Sequence, residues 1–168
     1  MPLTTMFGDD IGDLKMDPQD YPNTLYRVHL EGRSATLWDP NIGFRCRARG
    51  YINICNYYQL STALEDHLDW YSEEPSHLIS TFSSRRRALY WAGKQIRRHP
   101  DANAYLMKID PQKILNVAGE PIPILQVSHI IREYPEMLPD GIQEDWVNDE
   151  FLVLYKIPRG AIVSVKPI

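Results

Sequence analysis

The chain has 168 residues, 43% of them hydrophobic, enough for one domain with its own core. A net charge of −4 and an isoelectric point near 5.7 exclude a protein that holds nucleic acid through its overall field, although a local basic patch stays open. No segment approaches the roughly 20 apolar residues of a membrane helix, and the acidic stretch Met1 to Asp20 lacks the basic flank and apolar run of a secretory signal. The expectation is an intracellular protein, cytoplasmic or delivered as an effector, with no membrane partner.

In chain order, residues 1–22 set Gly8, Gly12, Pro18 and Pro22 among acids and read as a flexible lead-in to a single domain over 23–168. Thr24 to Leu30 alternates aliphatic and polar groups and predicts a strand. A glycine-punctuated region follows, with a short strand near Ala35–Leu37. From Tyr57 to Trp70, Leu60, Ala63, Leu64 and Leu68 recur at helical spacing. The apolar run Leu78-Ile79 then ends in the hydroxyl cluster Ser80-Thr81-Phe82-Ser83-Ser84. Ser84 is placed to cap a helix that runs to about Arg98 and stops before Pro100.

Further strands are expected at Ala104–Ile109, Ile114–Val117, Phe151–Ile157 and Ile162–Lys166. A short helix over Pro123–Arg132 and a long acidic loop over Glu133–Val147 complete the chain. The fold class is α+β, because βαβ alternation is lacking. Cys46 and Cys55 fit no metal or redox spacing and read as reduced, buried thiols.

Most catalytic patterns find no match. There is no G-x-S-x-G elbow and no phosphate-cradling glycine loop after a strand. The five histidines lack the spacing of a zinc site, so no metal is expected. What remains is an arginine in the first strand, the hydroxyl corner, and a glutamate opening a late strand. These suit cleavage of the bond between a ribose and a cationic base. A carboxylate stabilises the oxocarbenium-like centre, an arginine fork suits phosphate or ribose, and hydroxyls brace the carboxylate without adding charge. Taken singly, each has a plainer reading. Arg27 could sit in a surface ion pair, Ser80 and Thr81 could end a strand, Glu150 could be a solvated strand start, and Trp146 could anchor a loop. Arg85, Arg86, Arg87, Arg97 and Arg98 read as a solvated helix face, with steering of a polyanion as the alternative.

The ordered set Tyr26-Arg27, Ile79-Ser80-Thr81-Phe82-Ser83 and Asn148-x-Glu150 resembles the ADP-ribosyltransferase fold of the Arg-Ser-Glu class, that of cholera toxin and pierisin. The Leu-Tyr-Arg-Val-His start also resembles a fungal domain family of unknown function. The likeness spans roughly Thr24 to Val165. It implies a split β-sandwich with N-terminal helices packed on the sheets, and a toxin-like transferase that uses NAD as substrate. In that reading Glu150 is the catalytic carboxylate, Ser80 orients it, and Arg27 binds the NAD phosphates or the nicotinamide ribose. Thr81 and His29 line the cofactor side, and Trp146 and Asn148 meet the acceptor, an unidentified protein or nucleic acid. Arginine-modifying members carry a second glutamate where this chain has Asn148, and pierisin-like members carry glutamine there. NAD glycohydrolase activity and a catalytically silent NAD-binding or interaction domain are the alternatives.

Overall fold

The structure, a computed structural model, describes residues 9–33, 36–48, 54–68 and 75–168. Among them the chain forms an α+β domain of two antiparallel sheets and three α-helices. The strands are β1 (Leu25–Leu30), β2 (Thr36–Asp39), β3 (Gly43–Cys46), β4 (Leu78–Phe82), β5 (Ala104–Ile109), β6 (Ile124–Gln126), β7 (Glu150–Leu154), β8 (Lys156–Pro158) and β9 (Ile162–Pro167). The helices are α1 (Tyr57–Leu68), α2 (Arg85–Arg98) and α3 (Val127–Glu133).

The larger sheet runs β6-β7-β4-β1-β5-β9 and the smaller β2-β3-β8. β1 is paired along its whole length to β5, from Leu25 opposite Ile109 to Leu30 opposite Ala104. β4 is paired along its whole length to β7, from Leu78 opposite Leu154 to Phe82 opposite Glu150. Between β1 and β4 the register has one position, Tyr26 opposite Phe82. The large sheet is thus two three-stranded halves joined at one corner, and extending that register would set Val28 opposite Ser80. An unmade ladder leaves backbone acceptors that need other donors, and this seam is where the candidate site lies.

β7 and β8 were expected as one strand and are two, in different sheets. The break is Tyr155, whose φ of 73° lies in the left-handed region that non-glycine residues seldom adopt. Its amide donates to the His77 carbonyl and its carbonyl accepts from the Cys46 amide, which locks the crossing from one sheet to the other. In the smaller sheet Gly43 has φ 104°, and a Cβ there would run into the Ile157 carbonyl and the backbone of Arg159. Glycine at that position is what lets β3 close on β8.

α2 meets expectation: the Ser84 hydroxyl accepts from the Arg87 amide at 3.1 Å, and Ala88 and Ala92 are buried four residues apart where the helix packs on β1, β4 and β5. α1 is described from Tyr57 to Leu68; Asp69 and Trp70 lie outside the described residues, as does Ala35 of the expected early strand. Ile114–Val117 is not a strand: Leu115 makes an isolated bridge to Pro121, and Val117 opens a turn. The Asn116 side chain accepts from the amides of Ala118 and Glu120, and Val117 is fully exposed. The Pro123–Arg132 region divides into β6 and the helix α3, and Glu133–Val147 contains two short 3-10 turns, Pro135–Met137 and Glu144–Val147.

Residues 9–22 are docked where a flexible lead-in was expected. Ile11 and Leu14 are buried, Lys15 bridges Leu125, and the Met16 amide donates to the Ile124 carbonyl. Cys46 is buried and free, but Cys55 is exposed, against the expectation of two buried thiols.

Candidate functional site

Three strands and one helix end meet at the β1–β4 seam. Leu25, Arg27 and His29 of β1 are buried at alternate positions, and so share one face. Arg27 is only 8% exposed. Its Nη1 donates to the Ser80 carbonyl at 2.7 Å and its Nη2 to Thr36 Oγ1 at 2.7 Å. The guanidinium also lies 5.0 Å from the centroid of the Phe44 ring. One side chain therefore supplies a donor to the carbonyl beside the seam and ties the large sheet to the small one. Burial lowers its pKa to about 10 against the pull of Glu150, so it stays cationic at neutral pH. The surface ion-pair reading of Arg27 does not describe this residue.

Ser80 and Glu150 sit on neighbouring strands at β4 and β7, on the same face by the register Ser80–Leu152 and Phe82–Glu150. Ser80 Oγ donates to Glu150 Oε1 at 2.7 Å. Glu150 is 6% exposed, the opposite of a solvated strand start. Burial pushes its carboxyl up to about 7, while the Ser80 hydrogen bond and the charges of Arg87 and Arg27 pull the other way. Ser80 is the more exposed member of the pair.

His67, in the last turn of α1, completes the cluster and was not expected from sequence. Its Nε2 lies 2.6 Å from Ser80 Oγ and its Nδ1 2.6 Å from Ser76 Oγ. Because the single Ser80 proton goes to Glu150, Nε2 must carry the hydrogen that Ser80 Oγ accepts. Nδ1 then accepts from Ser76, whose oxygen takes the Leu78 amide at 3.0 Å. The result is a directed chain from Ser76 through His67 and Ser80 to the Glu150 carboxylate. Burial, with the Arg27 charge adding to it, holds the His67 imidazole down to about 4, so the ring is neutral. His67 reaches Ser80 across 13 residues of chain, with no spacing that a motif would register.

The remaining expected site residues are placed differently. Thr81 points to the opposite face of β4, fully buried, and its hydroxyl donates to the Phe151 carbonyl at 2.8 Å; that is a brace between strands. His29 meets the Phe44 ring edge-on and the Trp38 ring at a tilt, at centroid distances of 5.7 and 6.3 Å, and burial first, then Arg27, lowers its pKa to about 4. Asn148 is exposed and closes the Glu144–Val147 turn just ahead of Glu150. The backbone of Trp146 belongs to the same turn; its side chain lies outside what is described. Arg87 holds the turn in place, with Nη2 donating to the Asp145 carbonyl at 2.8 Å.

Among the described residues no group of three or more His, Cys, Asp or Glu side chains could hold a metal, and no helix is long and apolar enough to cross a membrane. The cluster offers a buried carboxylate with a pKa near neutrality, a hydroxyl that orients it, a neutral imidazole behind the hydroxyl and a fixed cation nearby. Such a group can stabilise a developing positive charge without a metal. No curated protein matches the sequence. Residues 20–168 match the model of a family described as a domain of unknown function, DUF7587, and the chain belongs to that family.

Proposed function

We propose that the chain is an NAD-dependent mono-ADP-ribosyltransferase built on an ADP-ribosyltransferase-like split β-sandwich. The observation that carries this reading is the meeting of Arg27, Ser80 and Glu150: Ser80, 53 residues from Arg27 and 70 from Glu150 in the chain, offers its carbonyl to the arginine and its hydroxyl to the glutamate. The one-position pairing of β1 with β4 supports the split-sheet reading. NAD approaches over Ser80. The bond between nicotinamide and ribose breaks, its electron pair leaves with nicotinamide, and the ionised Glu150 carboxylate stabilises the cationic ribose carbon. An acceptor nucleophile then bonds to that carbon and gives up its proton to solvent.

Ser80 fixes the carboxylate, His67 fixes the Ser80 hydroxyl, and Arg27 holds the strand edge on which both depend while its positive charge favours an ionised Glu150. Arg27 spends its two terminal nitrogens inside the protein, so its part is better described as organising the site than as gripping the phosphates. Asn148, an amide where a second carboxylate would activate arginine, supports a companion reading in which water is the acceptor.

Incubation with NAD is expected to release nicotinamide, and Glu150→Gln to lower that rate by 10²-fold or more. Label transferred from NAD to a macromolecule identifies the transferase, and nicotinamide release alone identifies the glycohydrolase. NAD that binds without turnover, or fails to bind, overturns the enzymatic reading.

A further inference from the structure

We infer that the outer face of α2 binds single-stranded nucleic acid. The helix Arg85-Arg86-Arg87-Ala88-Leu89-Tyr90-Trp91-Ala92-Gly93-Lys94-Gln95-Ile96-Arg97-Arg98 carries six cations and no acid. Removing those six from a chain of net charge −4 leaves −10 on the rest. One third of the chain's 18 lysines and arginines therefore lie on one helix that carries no acid.

Its placement on that helix is as informative as its amount. Ala88 and Ala92 face the sheet. At 100° per residue, Arg86, Arg87, Tyr90, Lys94, Arg97 and Arg98 fall on the other side. Three- and four-residue steps then put rings between cations: Tyr90 lies four residues from both Arg86 and Lys94, and Trp91 four from Arg87 and three from Lys94. The geometry agrees with that alternation. Arg87 Cζ lies 5.3 Å from the Tyr90 centroid, and Lys94 Nζ lies 5.0 and 5.2 Å from the Tyr90 and Trp91 centroids. Tyr90 is 51% exposed, so a large ring is presented to solvent with cations over it.

Cations alone would attract any polyanion. Rings interleaved with them select a partner that has flat, accessible π-faces at the spacing of its charges, which is an unpaired nucleic acid strand. A duplex stacks its bases inside and offers only phosphates, and an acidic peptide offers carboxylates without regular rings. The acidic turn at Glu144 and Asp145 borders the N-terminal end of the face, so the strand runs from Arg87 towards Arg98. This inference stands apart from the NAD reading; where both hold, the strand is delivered beside Glu150, because Arg87 also anchors the turn that precedes it.

The test is fluorescence anisotropy of the whole chain with a labelled mixed-sequence 12-nucleotide strand, with heparin and the matching duplex as competitors. Binding of the strand is expected to weaken with salt with a log–log slope of up to about −3.5, which is roughly 0.7 for each of five phosphate contacts. Tyr90→Ala should weaken it about tenfold while Tyr90→Phe preserves it. Arg86→Glu combined with Arg97→Glu should lower both affinity and slope, with helicity by circular dichroism unchanged. No strand binding at about 50 mM salt overturns the inference. So does heparin or duplex binding as tight as the strand with Tyr90→Ala neutral, which is the signature of a general polyanion or acidic-protein surface. Glu150→Gln should leave strand binding intact, so failure here and failure of nicotinamide release are separate results.

Discussion

At the scale of single residues the defining fact is a carboxylate held near its ionisation point by opposing forces. Burial raises Glu150 to about 7, and Ser80, Arg87 and Arg27 hold it from going higher. If the charged form stabilises the ribosyl cation, nicotinamide release should climb with pH through about 7 and level off above it. Ser80→Ala removes a hydrogen bond that favours the charged form, so the rise should move upward by about one pH unit and the plateau should fall 10- to 100-fold. His67→Phe leaves the Ser80 hydroxyl without its donor; it should reduce the plateau while moving the midpoint less, because His67 is neutral throughout this range. A rate that declines with rising pH across the same interval would show that Glu150 works protonated, and the assignment of its role would fail.

At the scale of elements, the seam between β1 and β4 depends on one arginine. A lysine offers a single ammonium on a flexible stem and cannot serve both the Ser80 carbonyl and Thr36 Oγ1. Arg27→Lys should therefore cost about 2–4 kcal/mol in urea unfolding. A double-mutant cycle with Thr36→Val should show coupling, since both lie on one link between the sheets. Gly43→Ala should destabilise by a similar amount, because its φ of 104° and its approach to the β8 backbone leave no room for a methyl group. Elements with local signals were legible from sequence. The capping serine and helical spacing of α2 and the alternation of β1 needed no tertiary information.

Tyr155 carries no such signal: Leu154-Tyr155-Lys156-Ile157 reads as continuous strand, and only the closing of the small sheet forces the left-handed residue. Asn116 and Gly119 did carry turn chemistry, and the apolar run around them obscured it. Ile11 and Leu14, three apart, were the overlooked sign of a docked segment. At the candidate site, Arg27, Ser80 and Glu150 could be named because their order resembles that of a known family, whereas His67 enters only because the fold brings α1 to Ser80 of β4.

At the scale of the whole molecule these buried groups set an unusual dependence of stability on pH. His29 and His67 are lowered to about 4 in the folded chain from an ordinary 6.5. Below 6.5 the unfolded chain takes up protons that the folded chain refuses, so both residues make stability rise with pH between about 4 and 6.5. Glu150 acts in the opposite sense. Its carboxyl is raised from 4.5 to about 7, so the folded chain holds a proton that the unfolded one has released, and stability falls as pH rises from 4.5 to 7. Two histidines outweigh one glutamate up to 6.5, and above that the glutamate acts alone. The melting temperature should therefore climb to a maximum near pH 6.5 and decline slightly towards pH 7. Glu150→Gln removes the charge but keeps an oxygen for the Ser80 hydroxyl. Its acid limb should be steeper, its decline absent, and its stability at pH 8 higher than the native chain's by on the order of 2 kcal/mol, several degrees in Tm. A variant that is less stable than the native chain at pH 8 would mean that Ser80, Arg27 and Arg87 fully repay the burial of the charge. The carboxylate would then be a structural anchor, with no strain held in reserve for chemistry.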